Sequence, residues 1–85
     1  MSVRKINGNY NFIGDNLKRI RKEKHFSQAD LIRDLNLMGI SMYKNDIWRI
    51  ETNQRIVKDY ELWGFIQVLK IDYEDLFKDS KNKLP

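Results

Sequence analysis

Ser27-Gln28-Ala29-Asp30-Leu31-Ile32 and, further on, Lys44-Asn45-Asp46-Ile47-Trp48-Arg49-Ile50-Glu51 are the two runs on which the fold turns. Ser27 is a good helix N-cap, and Asp30 three residues later resembles the acidic half of a capping box. Phe26, just before the cap, can staple onto Leu31, and Ala29, Leu31, Ile32 and Leu35 are expected to face inward. Leu37-Met38-Gly39-Ile40 ends that helix, with Gly39 available for the positive backbone angle of a helix exit. Ile47 and Ile50 anchor the next helix to a core and leave Lys44, Asn45, Trp48 and Arg49 outside. The pattern predicts two short helices joined by a turn, the second with hydrogen-bonding side chains on its free face.

Towards the N-terminus, Ile13, Leu17 and Ile20 recur at the spacing of one helical face, so a helix is expected over roughly 13–24. His25 follows it, where a left-handed residue would end the helix; histidine tolerates that conformation, and the structural role outweighs a catalytic or metal one. Residues 1–11 contain Arg4, Lys5 and an Asn7-Gly8 turn signal with little apolar periodicity, and read as a flexible basic tail. Arg4 and Lys5 could also reach a DNA minor groove as an arm, but a free tail explains them more simply. Towards the C-terminus, residues 52–58 form a polar connection. Asp59 is the expected cap of a helix with a Leu62, Phe65, Ile66, Leu69 stripe. Asp72 and Asp75 box a short fifth helix, with Ile71 stapled over Leu76. No period-2 alternation of strand length occurs. The expectation is a compact all-α domain of five helices over 12–78, followed by a disordered tail over 79–85.

Eighty-five residues suffice for one domain, and 41% apolar residues for a small core. No run approaches the roughly 20 apolar residues of a membrane span, and no signal-peptide segment opens the chain, so a cytoplasmic protein with no membrane partner is expected. The chain has no cysteine, which excludes disulfides, thiol catalysis and cysteine-ligated zinc. With one histidine, no glycine-rich phosphate loop and no paired metal-ligand motif, neither an enzyme, a metal, a cofactor nor a small-molecule substrate is expected. Charge is uneven. Residues 1–58 carry a net +6 and residues 59–85 a net −2, so the positive part coincides with the two opening runs, as phosphate attraction would require. The two helices suit a helix-turn-helix with the second directed at a DNA groove.

In this order and spacing, Ile13-Gly14 and Arg21, Phe26-Ser27-Gln28, Ile47 through Ile50-Glu51, and Leu69-Lys70-Ile71-Asp72 with Leu76-Phe77 resemble the phage repressor/Cro-like helix-turn-helix proteins, the XRE family. The likeness covers about residues 13–77. It implies that Gln28, at the start of the second helix, clamps a DNA phosphate, aided by the positive helix end. Ser27, Tyr43, Arg55 and Lys58 complete the implied phosphate-binding set. Lys44, Asn45 and Arg49 fall on positions that resemble the base-reading ones, where Arg or Lys matches guanine and Asn matches adenine. Asp46 could accept from a cytosine amino group or simply improve the helix start, and Trp48 could touch a thymine methyl or pack on the turn. Arg21 and Glu51 match a structural ion pair linking the first and third helices.

The chain also departs from that pattern. The turn between the second and third helices is about four residues longer than the compact version, as in a longer-turn branch of the family. Tyr43 stands where Ser or Thr would cap the third helix and cannot accept the local N–H bond as they do. Asn53 replaces a glycine but tolerates the left-handed conformation. The resemblance implies a sequence-specific double-stranded-DNA-binding transcriptional regulator, a repressor in the first instance, acting as a homodimer on an inverted site. Trp63 and Tyr73 are the dimer candidates; Phe65 and Phe77 are better explained as core. An antitoxin or accessory protein-docking module on the same fold is the alternative, and a separate regulatory protein remains open as a partner.

Overall fold

The computed structural model describes residues 5–84. The chain forms α1 (Gly14–Glu23), α2 (Gln28–Leu37), α3 (Lys44–Glu51), α4 (Asp59–Leu69) and a single-turn α5 (Tyr73–Leu76), with a 3-10 turn over Ser80–Lys83. Among the described residues there is no strand, only one isolated bridge between Ile6 and Asn9, so the all-α reading with five helices holds. No helix among the described residues is long and apolar enough to cross a membrane.

Each helix begins and ends for a local reason. Ser27 Oγ accepts from Asp30 N at 3.0 Å while Ser27 N donates to Asp30 Oδ2 at 2.9 Å, a complete capping box for α2. That bond is the first cause holding Asp30 below the usual aspartate range. Asp46, Glu61 and Asp75 supply only the returning half, accepting from the backbone N–H of Tyr43, Lys58 and Asp72. The cap of α4 is therefore Lys58, not Asp59, which is the first helical residue. His25 (φ 61°) and Gly39 (φ 85°) take the left-handed exits after α1 and α2.

The core forms where the apolar faces of α1 to α5 meet: Leu17, Leu31, Leu35, Ile47, Ile50, Phe65 and Leu76 are fully buried. α1 packs on α3, α4 and α5, and α2 packs on α3 and α4. Phe26, Ile32, Leu62, Ile66 and Ile71 are partly buried against this cluster. Ala29, expected inward, is exposed; the inward stripe of α2 is narrower because Leu31 and Leu35 already fill the space against α3 and α4.

Both expected tails are structured where they are described. Asn11 is buried, and Tyr10 N donates to the Asn53 carbonyl at 3.0 Å, so the ordered part extends ahead of residue 12. Met1–Arg4, including the arm residue Arg4, lie outside the described residues. At the other end, Asn16 Nδ2 donates to the carbonyls of Leu76 and Lys78, and Lys83 Nζ meets Asp15 Oδ2 at 2.8 Å. Apolar periodicity could not reveal either attachment, because both are made by backbone groups and polar side chains.

Candidate nucleic-acid interface

The outer face of α3 follows from the 3.6-residue period. Ile47 and Ile50 are completely buried, and Lys44, Asn45, Trp48 and Arg49 come out on the opposite side, all exposed. Lys44 and Arg49 have no ion-pair partner among the described residues. Trp48 is about half exposed. Four side chains able to meet base edges thus share one accessible strip.

That strip is held from behind by buried charge. Glu51, at the C-terminal end of α3, accepts from Arg21 Nε at 2.6 Å, from Arg21 Nη2 at 3.1 Å and from Gln28 Nε2 at 3.1 Å. Arg21 Nη1 donates further to the Phe26 carbonyl at 2.8 Å. A buried pair is tolerable only when its remaining donors and acceptors are matched; here the matching partners come from α1, α2 and the turn between them. The arrangement implied by the resemblance is present in geometry, and it fixes how α3 sits against α1 and α2.

Asn11 makes a second fastening, which sequence reasoning missed. Its Nδ2 donates to the carbonyls of Ile50 at 3.1 Å and Arg55 at 2.8 Å, and its Oδ1 accepts from the N–H groups of Ile13 at 3.0 Å and Gly14 at 2.9 Å. One side chain therefore accepts from the N–H groups of Ile13, the N-cap of α1, and of Gly14, and ties down the end of α3. The signal was there to find: Asn is among the best capping residues and stands just before the helix. Gly14 permits the close approach, since a Cβ there would overlap the Ile50 carbonyl oxygen.

The implied phosphate-binding residues are divided. Ser27, Gln28 and Lys44 come together around a cleft of about 370 Å³ between the start of α2 and the start of α3. Within it the Gln28 amide bonds Glu51 instead of pointing outward. Tyr43 is exposed at the head of α3 and Lys58 at the head of α4, with Lys58 Nζ 5.8 Å from the Tyr60 ring centre.

Two assignments change. Arg55 is not free to grip a backbone: its Nη1 and Nη2 each donate to Glu61 at 2.9 Å, and its Nε lies 3.6 Å from Asp46. Burial would push the Glu61 carboxyl up, but Arg55 and the Lys58 N–H outweigh it and hold it below the usual glutamate range. Asp46 is likewise committed, one oxygen to Tyr43 N at 3.0 Å and the other towards Arg55. Of its two readings, support of the helix start is the one observed. The Arg55–Glu61 pairing bridges six residues across a loop, a spacing that helical periodicity does not score.

Trp63 and Tyr73, the dimer candidates, are both more than half exposed, and Phe65 is fully buried as expected; Phe77 is about 38% exposed. No family model matches the chain, and no curated protein is significantly similar to it.

Proposed function

We propose that the protein is a sequence-specific, double-stranded-DNA-binding transcriptional regulator of the repressor/Cro-like helix-turn-helix kind, reading the major groove with α3. The observation that supports this best is the free strip of Lys44, Asn45, Trp48 and Arg49, carried by a helix whose other face is buried and whose end is locked by Arg21 and Glu51. A helix bearing such side chains fits the major groove, where guanidinium and carboxamide groups match guanine and adenine edges. The reading carries with it a cytoplasmic location and repression by occupancy of the site.

One domain offers few base contacts, so useful specificity calls for two copies on inverted half-sites about 34–36 Å apart. Trp63 and Tyr73 are the apolar residues proposed for that pairing. The same exposed aromatics favour the second reading, an antitoxin or accessory module whose main partner is a protein docking on α4 and α5.

Selection from random duplex DNA at two salt concentrations tests both. An enriched motif with inverted half-sites one helical turn apart supports the regulator. Absence of retention at either salt overturns it and leaves the docking module.

A further inference from the structure

The hairpin ahead of α1 carries side chains that the α3 reading leaves unused. Ile6 and Asn9 exchange backbone hydrogen bonds at 2.8 and 3.0 Å, and Asn9 Nδ2 closes the turn onto the Asn7 carbonyl at 3.0 Å. The hairpin is anchored to the loop after α3 through Tyr10 N and the Asn53 carbonyl. Lys5 Nζ stands 5.1 Å from the centre of the Tyr10 ring, an arrangement that holds the ammonium in place while leaving it exposed. Tyr10 also lines a shallow depression of about 230 Å³ together with Arg49, Gln54, Arg55 and Ile56.

No carboxylate lines this depression, and the Arg55 charge is already answered by Glu61 and Asp46. What remains in the lining is Tyr10, Gln54 and the Arg49 of the outer strip, with the Lys5 ammonium beside it over the Tyr10 ring. Side chains able to donate, beside positive charge that no carboxylate answers, suit a phosphate oxyanion better than an apolar partner.

We propose that this depression receives a backbone phosphate of duplex DNA, the one flanking the base that Arg49 reads, with Lys5 supplying charge and Tyr10 and Gln54 supplying hydrogen bonds. The proposal rests on the DNA-binding reading above. It gives the N-terminal hairpin a defined place: a fixed phosphate contact at the C-terminal end of α3, opposite the Ser27–Gln28–Lys44 cleft at its other end.

The test is binding of a random-sequence duplex across a salt series by the wild type and by Lys5→Gln, Lys5→Arg and Asn9→Ala. Lys5→Gln is expected to lower the slope of log K against log[salt] by about 0.9. The affinity gap from wild type then narrows about 3.5-fold between roughly 50 and 200 mM salt. Lys5→Arg should keep the wild-type slope. Asn9→Ala, which loosens the hairpin without touching charge, should lose the same increment as Lys5→Gln. A wild-type slope for Lys5→Gln overturns the phosphate contact. A wild-type slope for Asn9→Ala alone shows Lys5 acting as loose charge and overturns the fixed site. If the wild type binds no duplex at any salt, the DNA-binding reading itself falls and takes this proposal with it.

Discussion

Asn11 and Arg55 lie 44 positions apart in the chain, yet the Asn11 amide donates to the Arg55 carbonyl across 2.8 Å in a partly buried setting. Replacing Asn11 by Ala leaves the Arg55 carbonyl and two N–H groups at the start of α1 without this partner, while the Ile50 carbonyl still accepts from Asn53 N. A destabilisation of about 2–3 kcal/mol is expected, from the loss of a cap together with unpaired buried groups. Asn11→Asp should recover little, because a carboxylate keeps the acceptor for α1 but faces the Ile50 and Arg55 carbonyls with no donor. Urea unfolding of the three proteins checks this; an Asn11→Ala midpoint equal to wild type contradicts it.

Arg21→Ala removes the partner of a buried carboxylate and should cost about 3–5 kcal/mol, enough to endanger folding of so small a domain. An Arg21→Met, Glu51→Leu double variant should regain much of that loss, since it removes both charges and not one. If the double variant were as unstable as the single, the ion pair itself would be the main source of stability there.

Asn45→Ala and Arg49→Ala should each reduce discrimination of the selected site from random DNA by about 1–3 kcal/mol, with unchanged melting temperature. Lys58→Ala should weaken both DNAs alike and lower the salt slope by about 0.9. Arg55→Ala should behave as a folding variant, because it strands Glu61. Competition binding with parallel thermal melts separates the three behaviours, and an Arg55→Ala protein of wild-type stability would count against its structural assignment.

The Arg55–Glu61 pair also sets a pH dependence. The folded chain holds Glu61 ionised to a lower pH than the roughly 4.3 of an unfolded glutamate. The unfolded state therefore takes up the proton first, so the contribution is complete above that value and is lost as pH falls through the folded one. Glu61→Gln should be less stable than wild type near neutrality, and the gap should close in acid. Asp15, lowered first by its bond to Lys83, is exposed and adds little to the same trend. Denaturant midpoints at neutral and acid pH decide it; a gap that stays constant with pH would rule out this role for Glu61.

Gly14→Ala should destabilise by more than an exposed helix position would suggest, although alanine is the better helix former. The added methyl meets the Ile50 carbonyl oxygen, which is backbone and cannot swing aside. A stabilised Gly14→Ala protein in thermal melts would show that α1 and α3 can separate without cost.

The helices and their order were legible because apolar spacing and caps are local signals: Ser27 with Asp30, Ile47 with Ile50, His25 at the left-handed exit. The outer strip of α3 followed from the same periodicity. Asn11 was legible as a residue suited to the start of a helix but not as a tie to the end of α3, and the Arg55–Glu61 pair was not legible, since each depends on which backbone or charge the fold brings near. Arg55 illustrates the cost of inference from residue type alone. A basic residue in a polar loop looks available until the carboxylate of a neighbouring helix is found beside it.

The fastenings of α3 are unequally distributed. Arg21, Gln28 and Asn11 all grip its last turn, through Glu51 and the Ile50 carbonyl, whereas its first turn is held by Ile47, the Tyr43 N–H bond to Asp46 and the loose approach of Asp46 to Arg55. The helix is thus mounted like a cantilever, clamped at the Glu51 end and freer at Lys44. On the proposed reading, a helix so mounted would keep its register at the clamp while its tip accommodates differences in groove width. Amide protons should accordingly exchange fastest around Lys44 and Asn45 and slowest near Ile50.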